Sequence, residues 1–136
     1  MEVKNIGFVI LSDDVKAASS FYTTHFGFNA LIVLDWFASH EHEAYKGVYF
    51  DIIKKGHESA GHALLNESTK GTMIALIVEN AEKEFIRLTK EGVSMAMATK
   101  EEPWGQKRFQ VYAPDGVIVE IIEQIAPDME WMKNNI

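Results

Sequence analysis

The feature that most constrains this chain is that it repeats itself. Gly47-Val48-Tyr49-Phe50-Asp51-Ile52-Ile53 aligns with Gly116-Val117-Ile118-Val119-Glu120-Ile121-Ile122, with glycine, valine, an acid and two isoleucines in register. The elements before each string come in the same order. Val3 to Leu11 reads as a strand, and Ser12-Asp13-Asp14 supplies helix-capping oxygens. Val15, Ala18, Tyr22 and Phe26 then follow at helical spacing, and Gly27 is a stop. Strand-like runs span residues 28–34, 36–43 and 48–54, with Lys46-Gly47 expected as the turn before the last.

In the second half, residues 72–78 read as a strand and Asn80 as a cap. Ala81, Phe85 and Leu88 form a helical stripe ending at Gly92. Residues 93–99, 107–113 and 117–124 read as strands, with Pro114-Asp115-Gly116 as a turn. The expectation is one α+β domain over 1–136, built from two tandem βαβββ units. The first covers about 1–55, a polar linker about 56–71, the second repeat about 72–125, and a tail 126–136. Within that tail, residues 126–135 are expected to form a short terminal helix carrying Met129, Trp131 and Met132.

A βαβββ unit has one helix, enough to cover one face of its sheet. Two such units are expected to form a curved, barrel-like mixed sheet, with helices outside and a concave face left for a ligand. Strand alternation places Asp51 on the face of Tyr49 and Ile53, and Glu120 on the face of Ile118 and Ile122. The repeat makes the two acids equivalent. A carboxylate among branched aliphatics needs a cation, a metal, a proton or water, because burying it alone costs several kcal/mol.

Composition narrows the partners. A net charge of −7 argues against a nucleic-acid face, which needs basic side chains. No apolar run approaches the roughly 20 residues of a membrane-spanning helix. The absence of cysteine removes disulfides and thiolate chemistry. Together with a start that lacks signal-peptide features, this leads to the expectation of a cytoplasmic protein.

Two stretches carry a family resemblance. One runs from Ser12-Asp13-Asp14 through Phe21-Tyr22 to His25-Phe26-Gly27-Phe28. The other is Glu102-Pro103-Trp104-Gly105-Gln106-Lys107-Arg108-Phe109 with Ala113-Pro114-Asp115-Gly116 and Glu120 downstream. Both resemble the glyoxalase/bleomycin-resistance/dioxygenase (vicinal oxygen chelate) superfamily. The resemblance implies that metal enzymes of this kind take a His or Gln from each first strand and an acid from each fourth. The first-strand positions here are Gly7 and Met73, and the acids are Asp51 and Glu120. Glycine offers no ligand, and a thioether is a poor one for hard or borderline metals.

The leading expectation is therefore a protein that binds a small planar or cationic molecule without a metal, as the drug-binding resistance members do, and that pairs as a homodimer. Its rival is a glyoxalase-like lyase or isomerase, or a dioxygenase, using a divalent metal or a carboxylate as acid and base. The candidate ligand-binding residues are Trp36, His40, Tyr49, Asp51, Trp104, Gln106, Arg108 and Glu120, with Glu120 the candidate catalytic group. A metal would fall to Glu120, Asp51, His40 and His42, the last two sharing a strand face. Each has an ordinary alternative. His40 and His42 suit a charged strand edge, Trp104 suits packing, and Arg108 suits a structural pair with Glu120 or Asp51.

Overall fold

The computed structural model describes residues 1–136, and its chain divides into two compact units, Met1–Lys70 and Gly71–Ile136. In the first unit the strands are β1 (Ile6–Ser12), β2 (Phe28–Val33), β3 (Phe37–His42) and β4 (Tyr45–Lys54), with helix α1 (Val15–His25) between β1 and β2. The sheet order is β1-β4-β3-β2, with β1 parallel to β4 and the other pairs antiparallel. The second unit has β5 (Met73–Val78), α2 (Ala81–Lys90), β6 (Met95–Glu102), β7 (Gln106–Tyr112), β8 (Ile118–Gln124) and α3 (Met129–Asn135). Its order, β5-β8-β7-β6, repeats the first. The architecture is the expected α+β pair of βαβββ units, each with its own open, four-stranded mixed sheet.

The capping expectations explain both main helices. Asp14 Oδ1 accepts from Ala17 N at 3.1 Å, and Asn80 Oδ1 accepts from Lys83 N at 2.9 Å. Each oxygen satisfies an amide that the first turn leaves open. Glu123 adds a carboxylate at the α2 start, accepting from Ala81 N at 2.9 Å, where the helix dipole favours negative charge.

One face of each sheet is packed on its helix. In the first unit Val15, Ala18 and Tyr22 of α1 are buried with Ala38, Phe50 and Ile52. Tyr22 meets Phe50 edge-on at 4.7 Å between ring centroids. In the second, Leu88, Phe109, Val111, Val119 and Ile121 are buried, and Phe85 meets Phe109 edge-on at 5.4 Å. Burying side chains of this size contributes about 1.5–3 kcal/mol each. Alternation then sends Asp51 and Glu120 to the opposite faces of their sheets.

One turn is corrected. Lys46 and Gly47 lie inside β4, and the β3–β4 turn falls at Glu43-Ala44. The pairing jumps from Glu41↔Tyr49 to His42↔Tyr45, so β4 bulges there. Gly47 has φ +79, which suits the bulge as well as it suits a turn. Glycine spacing alone does not distinguish the two. The linker also holds two short 3-10 turns, Glu58–Ala60 and His62–Leu64.

Candidate functional site

On the open face of the second sheet, strand pairing sets Ala75 and Gln110 beside Glu120, and Arg108 beside Ile122. Glu120 is 5% exposed. Its Oε1 accepts from Arg108 Nη1 and from Gln110 Nε2, the latter at 3.0 Å. Arg108 also reaches Glu102 Oε1 through Nη2 at 2.9 Å and Nε at 3.1 Å. Lys100 Nζ lies 2.7 Å from the same Glu102 oxygen. Two acids and two bases thus form one neutral chain. Bonding to Glu120 holds the Arg108 guanidinium above its ordinary pKa. The Lys100 ammonium, helped by Arg108, holds Glu102 below the usual carboxylate range. Of the roles open to Arg108 in the sequence, the pair with Glu120 is the one formed.

Trp104 is presented by the tight turn between β6 and β7. Gly105, at φ +102, makes that turn possible, because a Cβ there would sit 2.9 Å from the Ile125 carbonyl oxygen. Trp104 remains 42% exposed, so it is not a core residue. Its Nε1 donates to Gln106 Oε1 at 2.8 Å. The Arg108 guanidinium carbon lies 5.8 Å from its ring centroid, and Trp131 of α3 lies 5.9 Å away. Trp104, Gln106, Arg108 and Glu120 are therefore brought together in one unit.

The first sheet presents Tyr49, Asp51 and Ile53 on β4, with Val9 beside Asp51 on β1 and Ser39 beside it on β3. Ser39 Oγ donates to Asp51 Oδ1. Trp36 is 37% exposed and stacks on His57, centroids 4.4 Å apart and rings 12° from parallel.

His40 lies on the other side of this sheet, fully buried against α1. Its Nδ1 donates to the Phe50 carbonyl at 2.9 Å, since a carbonyl only accepts, so Nε2 accepts from the Ser19 hydroxyl at 2.7 Å. Burial pushes the imidazole pKa below its ordinary value. His42 is likewise engaged: Nε2 donates to Phe26 O at 2.7 Å and Nδ1 accepts from Ala44 N at 3.1 Å. Both ring nitrogens of both histidines serve the fold. His40 and His42, expected as ligand or metal contacts, therefore present no ring nitrogen that is not already bonded within the fold. A polar residue at an inward strand position looks the same in sequence whether it is bonded to a helix or to a ligand.

Neither half presents a set of metal ligands on its open face. In the first, Gly7 faces outward with Asp51 and brings no donor atom. In the second, Met73 brings a thioether, its Sδ 3.7 Å from Gln110 Nε2, and the carboxylate of Glu120 is already bound to a guanidinium and an amide. These donor sets do not fit the divalent metals that the resemblance implies.

Gln110, Glu102 and Ser39 were not singled out in the sequence. Alternation from Arg108 leads to Gln110, two residues on, and the same step from Phe37 leads to Ser39. Glu102 carries no such signal, because its partner Arg108 is six residues away across a turn whose shape only the fold defines.

Similar solved structures have this fold. A glyoxalase/bleomycin resistance protein/dioxygenase from Nocardioides is 17% identical, with 92% of this chain and 85% of that one covered and a TM-score of 0.75. TnmS3, an antibiotic binding protein from Streptomyces sp. CB03234, is 17% identical over 91% of this chain and 98% of its own, with a TM-score of 0.69. A lactoylglutathione lyase from Agrobacterium tumefaciens is 15% identical over 87% and 91%, with a TM-score of 0.67. At these identities the likeness is one of fold. A search of curated proteins returns no match. The family profile described as Glyoxalase/Bleomycin resistance protein/Dioxygenase superfamily matches residues 6–121, and this chain belongs to that superfamily.

Proposed function

We propose that this protein binds a small organic molecule, planar or cationic, on the open faces of its sheets and without a metal. One observation carries the reading. Met73 stands where a metal-binding imidazole is expected, and the acid that would join it, Glu120, is committed to Arg108 and Gln110. What remains on these faces suits an organic ligand: exposed apolar side chains (Val9, Met73, Ile77), half-buried Tyr49, and the Trp104 ring. Binding sites of this kind are mainly apolar with a few placed polar groups. The fold is shared with an antibiotic binding protein, which supports the same class of ligand.

The test is a thermal-shift screen of aromatic and cationic antibiotics. A dose-dependent rise in Tm with at least one of them is expected. No stabilisation by any, together with turnover of a small carbonyl substrate, overturns the proposal.

A catalytic reading keeps one foothold. Asp51 is bonded to a serine hydroxyl and to no basic side chain, so acid–base chemistry, if present, falls to Asp51 rather than Glu120. Pairing of two chains is part of the proposal. The edge strands β1 and β2 expose Ile6, Phe8, Leu31, Ile32 and Val33, and uncovered apolar edges of this kind favour association. Light scattering at micromolar concentration should give twice the chain mass, and a monomer would contradict it.

A further inference from the structure

The two halves of the duplicated face have diverged in charge, and strand register shows where. Asp51 corresponds to Glu120, and Ile53 to Ile122. Phe37 pairs with Ile53 as Arg108 pairs with Ile122, so Phe37 stands at the place of Arg108. Ser39 pairs with Asp51 as Gln110 pairs with Glu120. The second half therefore supplies a guanidinium to its acid, whereas the first supplies a phenyl ring.

Asp51 consequently has the Ser39 hydroxyl as its hydrogen-bond partner and no basic side chain paired with it. A second carboxylate on the same face is also short of donors. Glu41 pairs across from Tyr49, and its side chain is 14% exposed. Its Oε2 is buried and accepts no hydrogen bond, and its ionic contact is Lys46 at 3.6 Å, on a side chain that is itself 76% exposed. Glu41 is answered by one exposed ammonium and Asp51 by none, so this face keeps a negative balance that favours a cation.

Building on the reading of a small-molecule binding protein, we propose that the ligand is a monocationic, largely apolar organic molecule, whose charged nitrogen is read by Asp51 on the first sheet. Val9, Tyr49 and Ile53 flank that acid and take the apolar body. Glu120, already neutralised, does not discriminate charge.

The probes are 9-aminoacridine, a planar cation at neutral pH, and acridine, its neutral analogue, titrated by fluorescence against the full chain. The cation should bind roughly five-fold more tightly, the span a partly exposed charge pair provides. Added salt should erode that preference. Asp51→Asn keeps an acceptor for Ser39 and should bring 9-aminoacridine to the affinity that acridine has for the same variant. Phe37→Arg copies the second half's pairing onto Asp51 and should abolish the preference by a different route. Equal binding of the two dyes, or a preference that survives both substitutions, overturns this inference and leaves the binding function standing. Binding of neither dye at millimolar concentration overturns the planar-ligand reading and this inference with it.

Discussion

Arg108 binds Glu120 across neighbouring strands of the second sheet, and the same guanidinium reaches Glu102 two strands from Glu120. The pair converts the most conspicuous acid of the sequence from a free ligand into the centre of a neutral network. Because Glu120 is nearly inaccessible, its stability now depends on Arg108.

Glu120→Gln is therefore expected to lower stability by about 1–3 kcal/mol, because Arg108 loses a charged acceptor while Gln110 keeps a carbonyl. Chemical denaturation of Glu120→Gln, Arg108→Gln and the double variant measures the coupling. Additive losses would show that the pair has no energetic role.

Trp104→Ala separates packing from binding. Its exposed ring predicts a stability loss of about 1 kcal/mol, below the roughly 3–5 kcal/mol of a core tryptophan. Affinity for a stacked aromatic ligand should fall by about 1–3 kcal/mol. Urea denaturation paired with a dye titration reads both, and a core-sized loss of stability would remove Trp104 from the site.

His40 predicts a pH dependence. Its folded-state pKa is lowered from the ordinary value of 6.5 by burial. Between that lowered value and 6.5 the unfolded chain binds more protons at this position than the folded one, so stability falls as pH drops through that window and is full above it. Unfolding free energy measured from pH 7 downward should show the decline, and His40→Gln should flatten it. An unchanged slope in the variant would assign the dependence to other groups.

The donor sets predict indifference to chelators. Protein purified without chelator should carry far less than one equivalent of Zn, Ni, Mn or Fe, and EDTA should leave Tm unchanged. A stoichiometric metal lost together with Tm on chelation would refute the metal-free reading.

Much of the fold follows from local chemistry that the chain carries residue by residue. Asp14 and Asn80 start helices because a short oxygen side chain bonds the first free amides there, and alternation along residues 47–53 and 116–122 fixes which side chains share a face. The duplication, the α+β class and the outward placement of Asp51 and Glu120 all follow from such short-range rules. What the tertiary structure alone decided is which partner each polar group meets. Glu102 joins Arg108 because the Trp104-Gly105 turn folds β6 back on β7. His40 becomes a core residue because α1 brings Ser19 to its Nε2, 21 positions earlier in the chain. Asp51 and Glu120 differ because strand register sets Phe37 in one half where it sets Arg108 in the other. Hydrogen bonds and ion pairs depend on distances of a few tenths of an ångström, and those are set by contacts between strands and helices rather than by the order of residues along any one of them.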